Sequence, residues 1–169
     1  MIQKCSILRV LEIFFKEPTT LHFVRSIGKE INLAPTSVKM YIDELLEEGL
    51  IVQKKAKPFD GYVANLENDK FIFYKRAYNL YSLYEFKEYL VRNCATKTIV
   101  LFGVYSLGTD VESDEIGILV LPKIKKPDLK KFEEKLKRRI EFISTTSLGK
   151  LGDELRKRAM EHFLVLLKV

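Results

Sequence analysis

The 169-residue sequence predicts an α+β chain built in two parts. Three segments of helical period lead into a lysine-rich hairpin signal, and beyond residue 77 short apolar strands alternate with helices. No apolar run approaches the roughly 20 residues that a membrane-spanning helix needs, so neither a membrane span nor a membrane partner is expected. Hydrophobic residues make up 47% and charged residues 31%, a balance that favours packed structure over disorder throughout.

In the first part Ile7, Leu8, Leu11, Phe14 and Phe15 recur at helical spacing, predicting a helix over 3–16 that Pro18 stops. A second helix is expected over 20–31, with Leu21, Val24, Ile27 and Ile31 inward and Thr19 or Thr20 as its cap. After the link NLAPTS, Pro35 suits the first position of a third helix, whose Val38, Ile42, Leu45 and Leu46 face inward until Gly49 ends it. The stretch LIVQKKAKPFDGYVANLE then reads as two short strands around a turn at 58–61. There the Asp60-Gly61 pair supplies the backbone freedom a hairpin needs.

Three helices followed by a basic hairpin, above all the run TSVKMYIDELLEEGLIVQKK, resemble the winged helix-turn-helix family of DNA-binding domains over residues 3–75. The corresponding domain is drawn at 1–76. The resemblance implies that the third helix enters the major groove and that the hairpin lies against the backbone. The outward, early positions of that helix are Thr36, Ser37, Lys39, Met40 and Asp43, and Lys54, Lys55 and Lys57 line the hairpin. Hydroxyls and Lys39 suit phosphate or base-edge contacts, and the hairpin lysines suit phosphate charge. Asp43, Glu44, Glu47 and Glu48 make the later part of the helix acidic, which opposes DNA unless they point away.

Residues 77–169 form the second expected domain. A helix over 78–93, rich in Tyr and Leu, is read as the joint between halves, with no Gly, Ser or Pro linker. Strands over 99–103 and 116–121, a helix over 128–137, the strand IEFIS and a helix over 151–167 complete a small mixed sheet packed by helices on one side. Cys5 and Cys94 stand far apart outside any CxxC pattern, so they are expected to be buried small hydrophobes rather than zinc ligands or a disulfide. The net charge is +6. Residues 1–76 carry 12 basic against 10 acidic side chains and 77–169 carry 17 against 13, so neither half holds all the basicity.

The run LFGVYSLGTDVESDEIGILV, with NLYSLYEFKEYLVRNCATKTI before it and RRIEFISTTSLGKLGDELRKRAMEHF after it, resembles the minimal nucleotidyltransferase domains of the DNA polymerase beta superfamily. With the helical half in front, the whole chain is similar to an archaeal two-part architecture. The resemblance implies a Gly-Ser turn that holds phosphates, two acids alternating along the next strand, and a third acid on a later strand. Alternate strand residues share a face, so such acids together bind the magnesium ions that bridge a triphosphate.

Carried over position by position, Gly103 and Gly108 match the loop glycines and are the nucleotide-binding candidates. Val104 stands at the serine position and Leu107 where many relatives have arginine. Glu115 falls at the first carboxylate, Gly117 at the second and Glu141 at the third. Asp114 is a neighbouring candidate, but it alternates with Glu115 and cannot share its face; Asp110 and Glu112 would have to reach in from the loop. The motif therefore reads as degenerate, Glu115 and Glu141 being the remaining metal and catalytic candidates.

The expected function is a cytoplasmic DNA-binding transcriptional regulator, a homodimer on double-stranded DNA, whose nucleotidyltransferase-like part serves dimerisation or the binding of a nucleotide or partner. No cofactor is expected in that reading. The competing expectation is a magnesium-dependent enzyme that transfers a nucleoside monophosphate. A third is a purely structural partner whose basic helix near 127–139 docks an acidic protein, although such a run more often forms a solvated helix face.

Overall fold

A computed structural model describes residues 5–168, apart from the side chains at 155, 159, 160, 167 and 168. The chain is mixed α/β with two sheets, and divides into two compact units between Lys75 and Arg76.

The first unit opens with α1 (Ser6–Lys16), α2 (Val24–Ile31) and α3 (Pro35–Glu47). Its core gathers Val10, Phe14, Ile27, Val38, Ile42 and Leu45, the apolar stripe of each helix. Antiparallel strands β1 (Ile51–Lys54) and β2 (Gly61–Ala64) follow. α2 begins later than the sequence reading, because residues 21–23 run alongside β2. The His22 N–H donates to the Tyr62 carbonyl at 2.9 Å and the Tyr62 N–H returns to His22 at 2.8 Å. Thr19 and Thr20 therefore lie outside the helix, Leu21 is only half-buried, and the α2 N-cap is Phe23. α1 is described from Ser6, and the two preceding positions of the expected helix lie outside the described residues.

The expected helix over 78–93 is two helices, α4 (Asp69–Ser82) and α5 (Tyr84–Cys94), parted at the buried Leu83. α4 starts nine residues early because the Asn68 side chain accepts from the Phe71 N–H at 3.0 Å and caps it. In the first unit its Lys75, fully buried, donates to the Phe15 carbonyl at 3.0 Å, which accounts for a cation in an apolar setting.

In the second unit the strands β3 (Thr98–Phe102), β4 (Ile116–Leu121), β5 (Ile140–Ser144) and β6 (Phe163–Lys168) form one sheet in the order β5-β4-β3-β6. β4 is antiparallel to β3 and parallel to β5, and β6 is antiparallel to β3. Short α6 (Val104–Leu107) follows β3, α7 (Lys130–Leu136) precedes β5, and α8 (Asp153–Glu161) leads into β6. One sheet face carries Ile99, Leu101, Ile116, Ile118, Val120 and Ile140 into a core with Leu83, Phe86 and Leu90 of the helical side. The other carries Val100, Phe102 and Leu119, with Ile143 and Leu151 against them. The expected final helix over 151–167 thus stops at Glu161, and FLVLLK pairs with β3 as an edge strand. A continuous apolar run is ambiguous between helix and strand, and cross-strand pairing decides it.

The cysteines depart from expectation too. Cys5 is exposed and Cys94 only half-buried, its thiol pKa raised by desolvation. Among the described residues no helix is long and apolar enough to cross a membrane.

Candidate functional site

In the first unit, α3 presents Thr36, Lys39 and Met40 to solvent, with Ser37 half-buried beside the buried Val38. Met40 is 56% exposed. Lys39 is not a bare cation: it pairs with Asp43 one turn on and stands 6.0 Å from the Tyr62 ring centroid. The hydrogen bond to Asp43 is the main cause of its raised pKa. Asp43 therefore spends its charge on Lys39, and Glu48, farther along, pairs with Lys70. Lys54, Lys55 and Lys57 are all exposed along the hairpin and its turn. The acid-rich end of α3 is thus partly neutralised by its own neighbours while the hairpin lysines remain outward.

The second unit holds the residues that the sequence reading assigned to a triphosphate. Gly103 sits at φ +77, where a side chain would be strained, and opens α6; Gly108, at φ +80, closes it. The Gly103 N–H, which a phosphate would need, donates to the His162 carbonyl at 3.1 Å. The Ser106 hydroxyl turns the same way, reaching the Gly103 carbonyl at 2.7 Å and the His162 carbonyl at 3.2 Å. The turn after β3 is tied to the start of β6, and its Val104 side chain faces outward.

Gly117 lies opposite Phe102 on β3 and opposite Glu141 on β5, and Phe102 in turn lies opposite Phe163 on β6. A row of four residues therefore crosses the sheet on one face. A Cβ at position 117 would meet the Phe102 ring at 2.7 Å, so the glycine is required by the ring lying across it. Glu141 is held by a two-pronged guanidinium: Arg158 Nη2 meets Oε2 at 2.9 Å and Nη1 meets Oε1 at 3.3 Å. The same guanidinium lies 5.9 Å from the centre of the Phe102 ring. Arg158 thus bridges the two residues that flank Gly117.

Three of the other candidate acids have distinct settings. Glu115 precedes β4 and is exposed. The Asp114 carboxylate accepts from the Val111 N–H at 2.7 Å and closes a local turn. Asp110 does not reach toward the sheet face: it is fully buried, accepts from Asn79 at 2.7 Å and pairs with Arg138 at 3.6 Å. Beside it Tyr105 shares a hydrogen bond with the Ser82 hydroxyl at 3.0 Å, and burial pushes its phenol pKa up to about 12.

The donor set does not fit the magnesium pair that the resemblance implies. Both oxygens of Glu141 face a cation already supplied by Arg158, and the ring of Phe102 takes the volume a second carboxylate would need. Among the described residues no cluster of three His, Cys, Asp or Glu is arranged to hold a metal ion. Arg158 and Phe102 escaped the sequence reading, since Phe102 meets Gly117 through strand register and Arg158 reaches Glu141 from α8. No family model, curated protein or solved structure matches this chain.

Proposed function

We propose that this protein is a winged-helix DNA-binding regulator, acting as a homodimer, whose second unit is a nucleotidyltransferase-like scaffold without catalysis. The observation that carries the reading is the contrast in side-chain commitment. Thr36, Met40, Lys54, Lys55 and Lys57 point outward from one helix and one hairpin, whereas Glu141, Gly103 and Asp114 are occupied by internal partners. Outward lysines beside an exposed helix face suit a phosphate backbone, and the hydroxyl of Thr36 with Met40 suits base edges.

The dimer surface most suited to this reading is β6, an edge strand that leaves Phe163 and Val165 at 45% and 47% exposure. Antiparallel pairing with a second copy about a two-fold axis satisfies the edge and covers both side chains.

The test is a fluorescence-anisotropy titration with duplex DNA over a range of KCl. Replacing Lys54, Lys55 and Lys57 together by Ala is expected to weaken binding at least tenfold and to make its salt dependence shallower. Equal binding by the two proteins sinks the reading. Labelled product from ATP, GTP, CTP or UTP with magnesium or manganese would reinstate the enzyme. Sedimentation of the wild-type chain at twice its 19.7 kDa mass, and of Val165→Lys as a monomer, tests the pairing.

A further inference from the structure

The turn between β1 and β2 holds a side chain that the lysine pattern does not explain. Phe59 is 69% exposed, the highest exposure among the large hydrophobics described, and stands at the tip of the hairpin. The turn beneath it is ordered. The Asp60 carboxylate accepts from the Gln53 side-chain amide at 2.8 Å and from the Ala56 N–H at 3.3 Å, tying the end of the turn back to the β1 strand and to the turn's start. Gly61 begins β2 with the Leu21 side chain where a Cβ would be, 2.6 Å away, so the hairpin base is packed. An apolar ring is therefore carried ahead of a fixed base, and exposed Lys54, Lys55 and Lys57 stand on the same short segment.

Each half of that arrangement restricts the partner. Three exposed lysines on one short segment favour a polyanion, and a protruding ring favours a partner with a π-stacked interior that opens at one point. Duplex DNA offers both, since phosphates line the groove and an apolar side chain can enter between base pairs at an easily unstacked pyrimidine–purine step.

We infer that Phe59 is a wedge that inserts at a base step while Lys54, Lys55 and Lys57 seat on the flanking phosphates. The inference rests on the DNA-binding reading and adds to it a deformation of the duplex. Specificity at the wedge position then comes from the ease of unstacking rather than from hydrogen bonds to base edges.

The experiment uses the full chain and a 30-base-pair duplex with 2-aminopurine placed at TA steps, following anisotropy and 2-aminopurine fluorescence in the same titration. Wild-type protein is expected to raise the fluorescence at saturation. Phe59→Ala is expected to abolish that rise while keeping salt-sensitive binding within about tenfold, and Phe59→Leu to keep part of it. Because Phe59 is exposed, all three proteins should melt together, and a matching thermal midpoint checks this. Salt-sensitive binding with no fluorescence rise, or with a rise that Phe59→Ala leaves intact, overturns the wedge and leaves the DNA-binding reading standing. Absence of duplex binding by the wild type overturns both. Co-sedimentation with phosphatidylserine vesicles that Phe59→Ala abolishes, together with DNA binding indifferent to the substitution, reassigns the tip to a membrane surface and also overturns the wedge.

Discussion

Set side by side, the α3–hairpin surface of the first unit and the polar groups on and around the sheet of the second are arranged in opposite ways. On the first, Thr36, Lys54, Lys55 and Lys57 are exposed, and Asp60, itself exposed, orders the turn by accepting from the Ala56 N–H. On the second, Glu141 is clasped by Arg158, Asp110 is buried against Asn79 and Arg138, and the Gly103 N–H belongs to His162. A polar group that already has a well-formed partner gains little from a ligand, because binding must first break what exists. Substitutions should therefore separate the two regions cleanly: those in the second unit move stability, and those on the hairpin move binding.

The sharpest separation is expected at Asp110. Changing it to Ala leaves the buried Arg138 guanidinium without its carboxylate, and should cost about 3–5 kcal/mol by chemical denaturation. Loss below about 1 kcal/mol would mean that Arg138 does not depend on this carboxylate. Gly117→Ala is next. Its methyl meets the Phe102 ring, so about 1–3 kcal/mol should be lost, and Phe102→Leu in the same chain should recover part of it. Failure of the second change to help would show that backbone, rather than the ring, sets the requirement.

Tyr105→Phe should cost about 1 kcal/mol at neutral pH through the lost bond to Ser82. It also carries a pH signature. The folded phenol keeps its proton to about pH 12 while the unfolded one releases it near 10. The folded form therefore binds the extra proton, and its contribution is whole below pH 10 and is lost between 10 and 12. Urea titrations across that window should show a shallower alkaline decline in Tyr105→Phe than in the wild type. The smallest effect belongs to Arg158→Ala. Its side chain is 54% exposed, so the pair with Glu141 should be worth less than about 1 kcal/mol. If that substitution also brought magnesium-dependent binding of a nucleotide, the arginine would be a plug over a live site, and the contrast between the units would fail.

Much of this organisation was legible in the residues, and the failures have particular causes. The three helices and the β1–β2 hairpin announce themselves through period and turn chemistry, because each is stabilised locally. Three elements did not. Residues 21–23 look helical until Tyr62 supplies a neighbouring strand. The expected joint helix ignores Asn68, whose side chain caps α4 well upstream. The run FLVLLK has no periodicity, and only the free edge of β3 makes it a strand. The candidate site shows the same division. The residues place Gly117 where the metal pattern lacks an acid and Glu141 as a remaining acid, but Phe102 sits 15 residues from Gly117 and meets it through sheet register, and Arg158 sits 17 from Glu141 and reaches it from α8.

The pair of hydrogen bonds between His22 and Tyr62 makes the hairpin base the middle of a three-segment ladder, pinned additionally by the Ala64 N–H on the Pro18 carbonyl at 3.0 Å. Beyond Lys54 the turn is closed by the Asp60 contacts to Gln53 and Ala56. In hydrogen exchange the amides of His22 and Tyr62 should survive until the first unit opens as a whole, while those of Lys55 and Phe59 exchange within seconds. The hairpin base is thus set by backbone pairing before any partner arrives, and little conformational entropy is left to lose there on contact.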